Sequence, residues 1–538
     1  MPIRVNIHEA GALRNQRYAF TDRFTLVSEL LQNARRAGAR RIEVRYDEPT
    51  QSLQVSDDGG GIQDFQALLS LHASGWSPAL REAEQAFGVG FSQCLYSARR
   101  CRVTSGAQQV DFDCAAALAQ QPIEVTNTDA SLPGTCVHLQ GVPLPDWQAR
   151  IERLCVGFPV PVWLNGQELP RPLGLDALDT QASAIGQVFL LGRHDGWSNT
   201  DLMVFLQGLC VWRSPYSVVT QVNVVHLDSR QFLARLPDRD KLVDEDVQLA
   251  RIQATVQHAW HQVLLDRLQQ LDELRFLERY YRSVQRWQQN ALLNGLTLLP
   301  GEVCQRIEHY PEQTEAGWER YLQPCTAPVS RQAIEDGTVQ LIALSPLDGS
   351  NAARWMLARA CGAVRCDRTA LHADHWVQRH VQSLDDLPVE VTAHGALRQA
   401  AFHGRWVDAM VVLCDVVRIA MGQTCIDLVD EGLFHDGVVY IPANAWSGKA
   451  VRQASRFIDG YQHVHDADAQ AEEEALAQLI QHVRCRDPLP TLRSLLGDLH
   501  LERYPALQEQ TFILQVGDQD HALVVECLAT AGGAHAQS

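Results

Sequence analysis

The sequence predicts an α/β (α+β) protein of several mixed layers, on three observations. A strongly amphipathic helical stretch alternates with period-two strand patterns over residues 1–148. Residues 149–245 read as strand after strand, and residues 246–300 revert to one helical stripe. Residues 301–538 are mixed α/β without a legible signature. At 538 residues and about 150 per domain, three to four domains are expected, with these boundaries.

Composition narrows the class. Hydrophobic residues make up 46% and charged residues 20%, as in folded globular protein. The net charge of −18 argues against a surface built for nucleic acid or anionic membrane, without excluding a local basic patch. No run approaches the roughly 18 apolar residues of a membrane span, and the first twenty residues lack the apolar core of a signal peptide. The 14 cysteines contain no CxxC and read as reduced, mostly buried small apolar residues, so a cytosolic (cytoplasmic) location is expected. Lysine occurs only at Lys241 and Lys449; every other basic residue is arginine.

Taken in order, the segment from Asp22 to Ala37 sets Leu26, Val27, Leu30, Leu31, Ala34 and Ala37 at helical spacing, with Thr21 or Asp22 as N-cap and Gly38 as C-cap. Ile42, Val44 and Tyr46 then alternate with polar residues, a turn follows at Asp47-Glu48-Pro49, and Leu53 and Val55 alternate again. Strands are expected over Pro159 to Leu164, Gln187 to Leu191, Leu202 to Trp212 and Val222 to Leu227, with Asn165-Gly166 as a hairpin turn. From Asp244 to about Asn290 an extended or broken helix carries Val247, Leu249, Ile252, Val256, Trp260, Val263, Leu264, Leu268, Leu271 and Leu274 on its stripe. The acidic stretch His463 to Glu474 is a loop or an exposed helix start.

Three short motifs carry chemistry. Glu29 and Asn33 lie four apart on the first helix and therefore on one face, where a carboxylate and an amide can orient water and Mg²⁺. Asp57-Asp58-Gly59-Gly60-Gly61-Ile62 ends a strand in a carboxylate that can accept from an exocyclic amine, then runs into glycines that let backbone approach a ligand. Phe87-Gly88-Val89-Gly90-Phe91 opens a helical pattern from Ser92, where free N–H groups suit phosphate oxygens. It is not a dinucleotide fingerprint, because GxGxxG is incomplete.

The order of these motifs, followed by Gly134-Thr135 before a β run, resembles the GHKL superfamily of gyrase, heat-shock chaperone, histidine kinase and MutL ATPases. FGVGF is most similar to the heat shock protein 90 branch, while ELLQNARRAGA is also close to MutL-type sequences. The resemblance covers about the first 140 residues and continues more loosely to about 250. It implies a Bergerat-type ATP-binding sandwich over 1–148, a transducer-like domain over 149–245, a helical connector over 246–300 and a C-terminal module over 301–538. On that resemblance Glu29 is the general base and Asn33 the Mg²⁺ ligand. Asp57 holds the adenine amino group, supported by Thr135, while Gly59, Gly61 and Ile62 let the base sit against the backbone. Gly88, Val89, Gly90 and Phe91 cradle the phosphates, and Gln63 to Ala86 form a lid. The acidic residue usual three positions after the asparagine is Arg36 here, which puts nucleotide selectivity in doubt. In such enzymes a basic side chain of the second domain reaches the γ-phosphate. One of the chain's two lysines sits at that junction, so Lys241 is favoured and Arg239 is the alternative.

The function expected is therefore Mg²⁺-dependent ATP binding and hydrolysis driving a conformational cycle on a protein client, chaperone-like, in a homodimer with nucleic acid an unlikely partner. The alternatives are a MutL- or gyrase-type DNA-transaction ATPase, a protein kinase of the histidine-kinase branch, and an ATP-binding regulatory module without turnover. Ser447-Gly448-Lys449 reads as a surface turn, the Asp518 to Ala522 segment as no nuclease motif, and His463 and His465 with their acidic neighbours as a solvated run.

Overall fold

The computed structural model describes residues 4, 8–16, 18, 22, 24–70, 75–84, 90–235, 239–311, 321–348, 350–405, 408–442, 466–497, 499–517 and 523–528. The chain divides into two compact units, Met1–Leu296 and Thr297–Ser538. The fold is mixed α/β throughout, as the sequence predicts.

The first unit begins with helices α1 (Glu9–Gln16) and α2 (Thr25–Arg36) and strands β1 (Ile42–Asp47) and β2 (Ser52–Asp57). Short helices α3 (Phe65–Leu69), α4 (Pro78–Glu84) and α5 (Ser92–Ser97) precede the long strands β3 (Arg100–Asp113) and β4 (Thr126–Gln140), which flank α6 (Cys114–Leu118). After α7 (Trp147–Cys155), strands β5 (Val162–Leu164) and β6 (Gln167–Glu168) complete a six-stranded sheet of order β3-β4-β2-β1-β5-β6. Its pairs are antiparallel except β1 with β5. The period-two pattern explains the packing: Ile42, Val44, Tyr46, Leu53 and Val55 are all buried.

Helix α2 supplies the opposing layer. Leu26, Val27, Leu30, Leu31 and Ala34 enter the same core as those strand residues. No side chain caps it at Phe24; instead Asp22 accepts from Phe24 N at 2.9 Å. Gly38 follows the C-cap at φ 76°, donating to Arg35 O at 3.0 Å, as expected of a helix stop.

A second sheet follows, of order β10-β9-β11-β8-β7, from β7 (Gln181–Ser183), β8 (Gly186–Phe189), β9 (Leu202–Leu206), β10 (Leu209–Arg213) and β11 (Asn223–Leu227). Residues 202–212, read as one strand, are two: Gln207 and Gly208 turn at φ 54° and 83° between Leu206 and Leu209. Gln-Gly lacks the Asn-Gly signature, although the geometry is the same two-residue, positive-φ turn. The helical stripe is likewise broken into α8 (Glu245–Gln270) and α9 (Glu273–Arg286), with Asp272 capping α9 through Arg275 N at 2.9 Å. Trp260 on α8 stacks on Trp287 with ring centroids 5.6 Å apart.

In the second unit, strand Leu341–Ala343 pairs in parallel with Val364–Cys366 and Val381–Ser383, and helix Ala352–Ala360 links the first two. That helix buries Trp355 and Met356. A four-stranded sheet packs Phe402, Val411 and Val439 against Leu476 and Ile480 of helix Asp466–Arg484. The acidic stretch thus runs into a helix with a buried face, while residues 463–465, 447–450 and 518–522 lie outside the described residues.

All 14 cysteines are free. Cys361, Cys425, Cys485 and Cys527 are exposed, and the other ten are buried or half-buried. Among the described residues, no helix is long and apolar enough to cross a membrane.

Because Leu31 is wholly buried in the layer that carries Glu29 and Asn33, Leu31→Ala is expected to cost about 2–5 kcal/mol in urea unfolding of the full chain. A loss below about 1 kcal/mol would mean that this contact does not hold α2 in place.

Candidate functional site

The apolar face of α2 rests on the sheet, so its polar face looks toward the loops above it. Glu29 and Asn33 lie there one turn apart. With the ends of β2 and β4 they line a cavity of about 280 Å³. Glu29, Asn33, Asp57, Gly61, Ile62, Gly90, Phe91, Thr135 and Arg239 all border it, and Trp76 closes it from the expected lid segment. Gly59 lies beside it, hydrogen-bonded to Asp57. Gly88 and Val89 lie outside the described residues, as does Ser74.

Asp57 ends β2 directly opposite Thr135 of β4. Its Oδ1 accepts from Gly59 N at 2.8 Å, and the Thr135 backbone also donates to the carboxylate. Burial pushes the carboxyl above its ordinary range, against the downward pull of those two N–H groups. Gly61 turns beside it at φ 71°, and a Cβ there would stand 2.7 Å from Ser105 Oγ. That buried hydroxyl accepts from Ile62 N at 2.8 Å and donates to Gly134 O at 2.8 Å, which ties the glycine loop to β3 and β4. Ser105 has no motif of its own; the strand pairing alone brings it here. The neighbouring Asp58 turns away and accepts from Arg40 N and Arg41 N at 2.7 and 2.9 Å.

Glu29 is 3% exposed, and its Oε1 accepts from Arg239 Nε at 2.6 Å. Gly90 has a reason beyond the one read from the motif. A Cβ there would fall 2.0 Å from Glu29 Oε2, so only glycine lets the chain pass this carboxylate. Asn33 is half-buried at the cavity wall, and its side chain makes no hydrogen bond among the described residues.

The two basic candidates separate. Lys241, the first choice, is exposed and borders a different cavity, whereas Arg239, the alternative, is the cation beside Glu29. Leu242 is buried and bridges Ala234, which turns its neighbour Lys241 outward. Arg239 sits at φ 55°, and its N–H donates to Arg235 O at 2.9 Å while Arg235 N donates to Lys241 O at 2.8 Å. A non-glycine residue held at positive φ marks a conformation that the loop is built to keep.

Arg36 stands where the resemblance expects an acid, and its side chain is 2% exposed. Its Nε donates to Glu84 Oε2 at 3.1 Å and its Nη2 to Gln207 Oε1 at 3.2 Å, while Arg35 also pairs with Glu84. Burial lowers the Arg36 pKa, and the nearby Arg239 adds to the effect. Burial would raise the Glu84 carboxyl, but the Arg35 and Arg36 guanidiniums outweigh it and hold it below the usual range. Gln207, in the β9–β10 turn, also accepts from Gln32 Nε2 at 2.7 Å and donates to Glu84 O at 2.9 Å. Thus α2, the end of the lid segment and the second sheet meet in one polar knot that no sequence motif announced.

Residues 22–131 match the family described as "Histidine kinase-, DNA gyrase B-, and HSP90-like ATPase". A DNA mismatch repair protein MutL from Xanthomonas oryzae pv. oryzae is 27% identical over 159 residues, 28% of this chain and 25% of that protein. A protein of the same name from Pseudomonas syringae pv. tomato is 32% identical over 94 residues, 16% of this chain and 15% of that protein. The chain thus aligns with about a quarter of the length of the first of these relatives. A solved structure described as "Crystal Structure of N terminal domain of a DNA repair protein" superposes with a TM-score of 0.31 at 14% identity, covering 47% of this chain and 99% of that one. These relatives carry the MutL name, not that of the heat shock protein 90 branch which FGVGF suggested. The sheet-and-helix layer that builds this cavity is therefore a GHKL-superfamily ATPase domain.

Proposed function

We propose that the chain hydrolyses ATP with Mg²⁺ as part of a DNA transaction of MutL type, in place of the chaperone-like cycle on a protein client that its glycine motif first suggested. The observation that carries the ATPase reading is the meeting of Glu29, Asn33, Asp57 and Arg239 around one cavity. The DNA reading rests on the relatives' name and displaces the expectation that nucleic acid is an unlikely partner. A homodimer remains part of the proposal.

The residues fit the ligands. Asp57 offers a carboxylate to an exocyclic amine at the enclosed end, where Gly61 keeps the floor clear of a Cβ. Asn33, with an unengaged amide oxygen at the cavity wall, would hold the Mg²⁺. When bound, Mg²⁺ neutralises charge on the phosphates. Glu29 takes the proton from the attacking water. For that, its Oε1 must first be released by Arg239, whose guanidinium finds a stronger partner in a γ-phosphate than in one carboxylate. Arg239 in the sensor role and Glu29 as base are thus two halves of one exchange.

Three outcomes are expected. Glu29→Gln keeps an acceptor for Arg239 and should abolish phosphate release while sparing analogue binding. Glu29→Ala should also destabilise the fold by about 3–5 kcal/mol, because it leaves a buried guanidinium unpaired. Steady-state turnover equal to the parent's in Glu29→Gln would refute the assignment of the base.

Asp57→Asn should weaken binding of a non-hydrolysable ATP analogue by about tenfold or more, measured by calorimetry. The folded pKa of Asp57 is raised, so its ionised form is disfavoured and stability falls as pH rises through the window above 3.8. The variant should therefore be no less stable than the parent at pH 7. The same shift means that analogue affinity in the parent should drop on acidification at a higher pH than an ordinary carboxylate would give.

Finally, double-stranded DNA should raise phosphate release several-fold at low salt, with the effect fading as salt rises. A rate indifferent to DNA would overturn the DNA reading and leave the ATPase reading standing.

A further inference from the structure

A second cavity, of about 430 Å³, opens on the other side of Arg239, between the first sheet-and-helix layer and β10. Its floor is apolar: Phe24, Leu209 and Val211 are buried and Trp212 is half-buried. Its rim carries Arg153, Arg213 and Lys241, all exposed and without an ion pair among the described residues. Arg150 also borders it but is already paired with Asp22 and stacked on Phe24, 3.7 Å from the ring centroid. Of the other acids, Asp240 is half exposed and 3.8 Å from Arg235. Glu245 has a carboxylate oxygen, Oε2, that is buried without any hydrogen-bond partner.

We propose that this cavity binds a small organic phosphate, with its phosphate on Arg153 and Arg213, its apolar ring on the Phe24–Trp212 floor beside Lys241, and a donor group satisfying Glu245. Each part answers an observed need. Three unpaired cations gathered in a chain of net charge −18 reverse the sign of the surface locally and attract an anion. The half-buried Trp212, set among buried apolar neighbours, gains from a flat ring laid over it. A buried carboxylate oxygen with no donor costs stability until one arrives. The volume lies within the range of small-molecule sites. Asp57, Asn33 and Glu29 do not border this cavity, so it is not the nucleotide site seen from behind; Arg239 alone is common to both. An anion here would stand beside the guanidinium that holds Glu29.

The scarcity of lysine makes the site directly testable, because Lys241 is one of only two in the chain. Pyridoxal 5′-phosphate is a probe of the right class: a phosphate on an aromatic ring that bears an aldehyde. The Lys241 amine condenses with the aldehyde and releases one water, and borohydride then delivers hydride to the imine carbon to give a stable secondary amine. Peptide mapping by mass spectrometry reads each lysine separately. Labelling of Lys241 is expected to run about tenfold or more faster than that of N-acetyl-lysine, a gain of about 1.4 kcal/mol in local binding. The double variant Arg153→Ala, Arg213→Ala should lose that advantage, while Arg153→Lys, Arg213→Lys, which keeps the charge, should retain most of it. Asp57→Asn should leave the labelling unchanged. A rate equal to that of N-acetyl-lysine, indifference to the arginine-to-alanine changes, or loss of labelling in Asp57→Asn would each overturn the proposal.

Discussion

A buried carboxylate on the polar face of a packed helix is costly without a partner, and Glu29 finds one 210 residues further along the chain in Arg239. This ion pair is the constraint on which the rest of the first unit depends. It requires α2 to stand at a fixed height above the sheet, the 235–241 loop to return to it, and the chain at Gly90 to pass without a side chain. Removing either partner leaves a charge in a place that water barely reaches. Only one of the two carboxylate oxygens, Oε1, is taken up by the guanidinium. The contact therefore supports the fold while leaving Oε2 at the cavity, and a ligand that competes for Arg239 would change what holds α2 in place.

The second constraint is the knot of Arg35, Arg36, Glu84 and Gln207. Arg36 looked like a defect, because a carboxylate was expected in its place. In the structure the carboxylate comes from Glu84, at the end of the lid segment, and the guanidinium from the helix. The two charges thus sit on different elements, Arg36 on α2 and Glu84 on α4, and pair across them. Gln207 joins both to the second sheet with its backbone carbonyl and its side-chain amide. Glu84 is thus tied to both α2 and the second sheet through hydrogen bonds.

What the sequence disclosed follows from range. Helix α2 and strands β1 and β2 were legible because their apolar spacing is local, and Asp57 and Gly61 because a strand end and a glycine turn are local as well. The split at Gln207-Gly208 was missed because Gln-Gly carries no strong turn preference, although both residues have positive φ there just as they do at Asn165-Gly166. Ser105, Glu84 and Gln207 were invisible for a different reason. Each is an ordinary polar residue whose role comes from partners 29 to 175 positions away. Choosing between Lys241 and Arg239 likewise needed the burial of Leu242, a tertiary fact.

The net charge carries less than its size suggests. A total of −18 over 538 residues argues against a nucleic-acid partner only if that charge is spread evenly. Fields at a protein surface are screened over about 8–10 Å at ordinary salt, so a ligand responds to the charges next to it and not to the sum. Around Arg239 the local count runs the other way: Arg36 lies close enough for the two guanidiniums to repel, and Arg153, Arg213 and Lys241 border the adjoining cavity. Cations outnumber acids where the two layers of the first unit meet: Arg150, Arg153, Arg213, Arg239 and Lys241 line the cavity against Asp22, Asp240 and Glu245. Overall acidity then serves solubility, while the sign of the field at the junction is set by a few side chains that the average conceals.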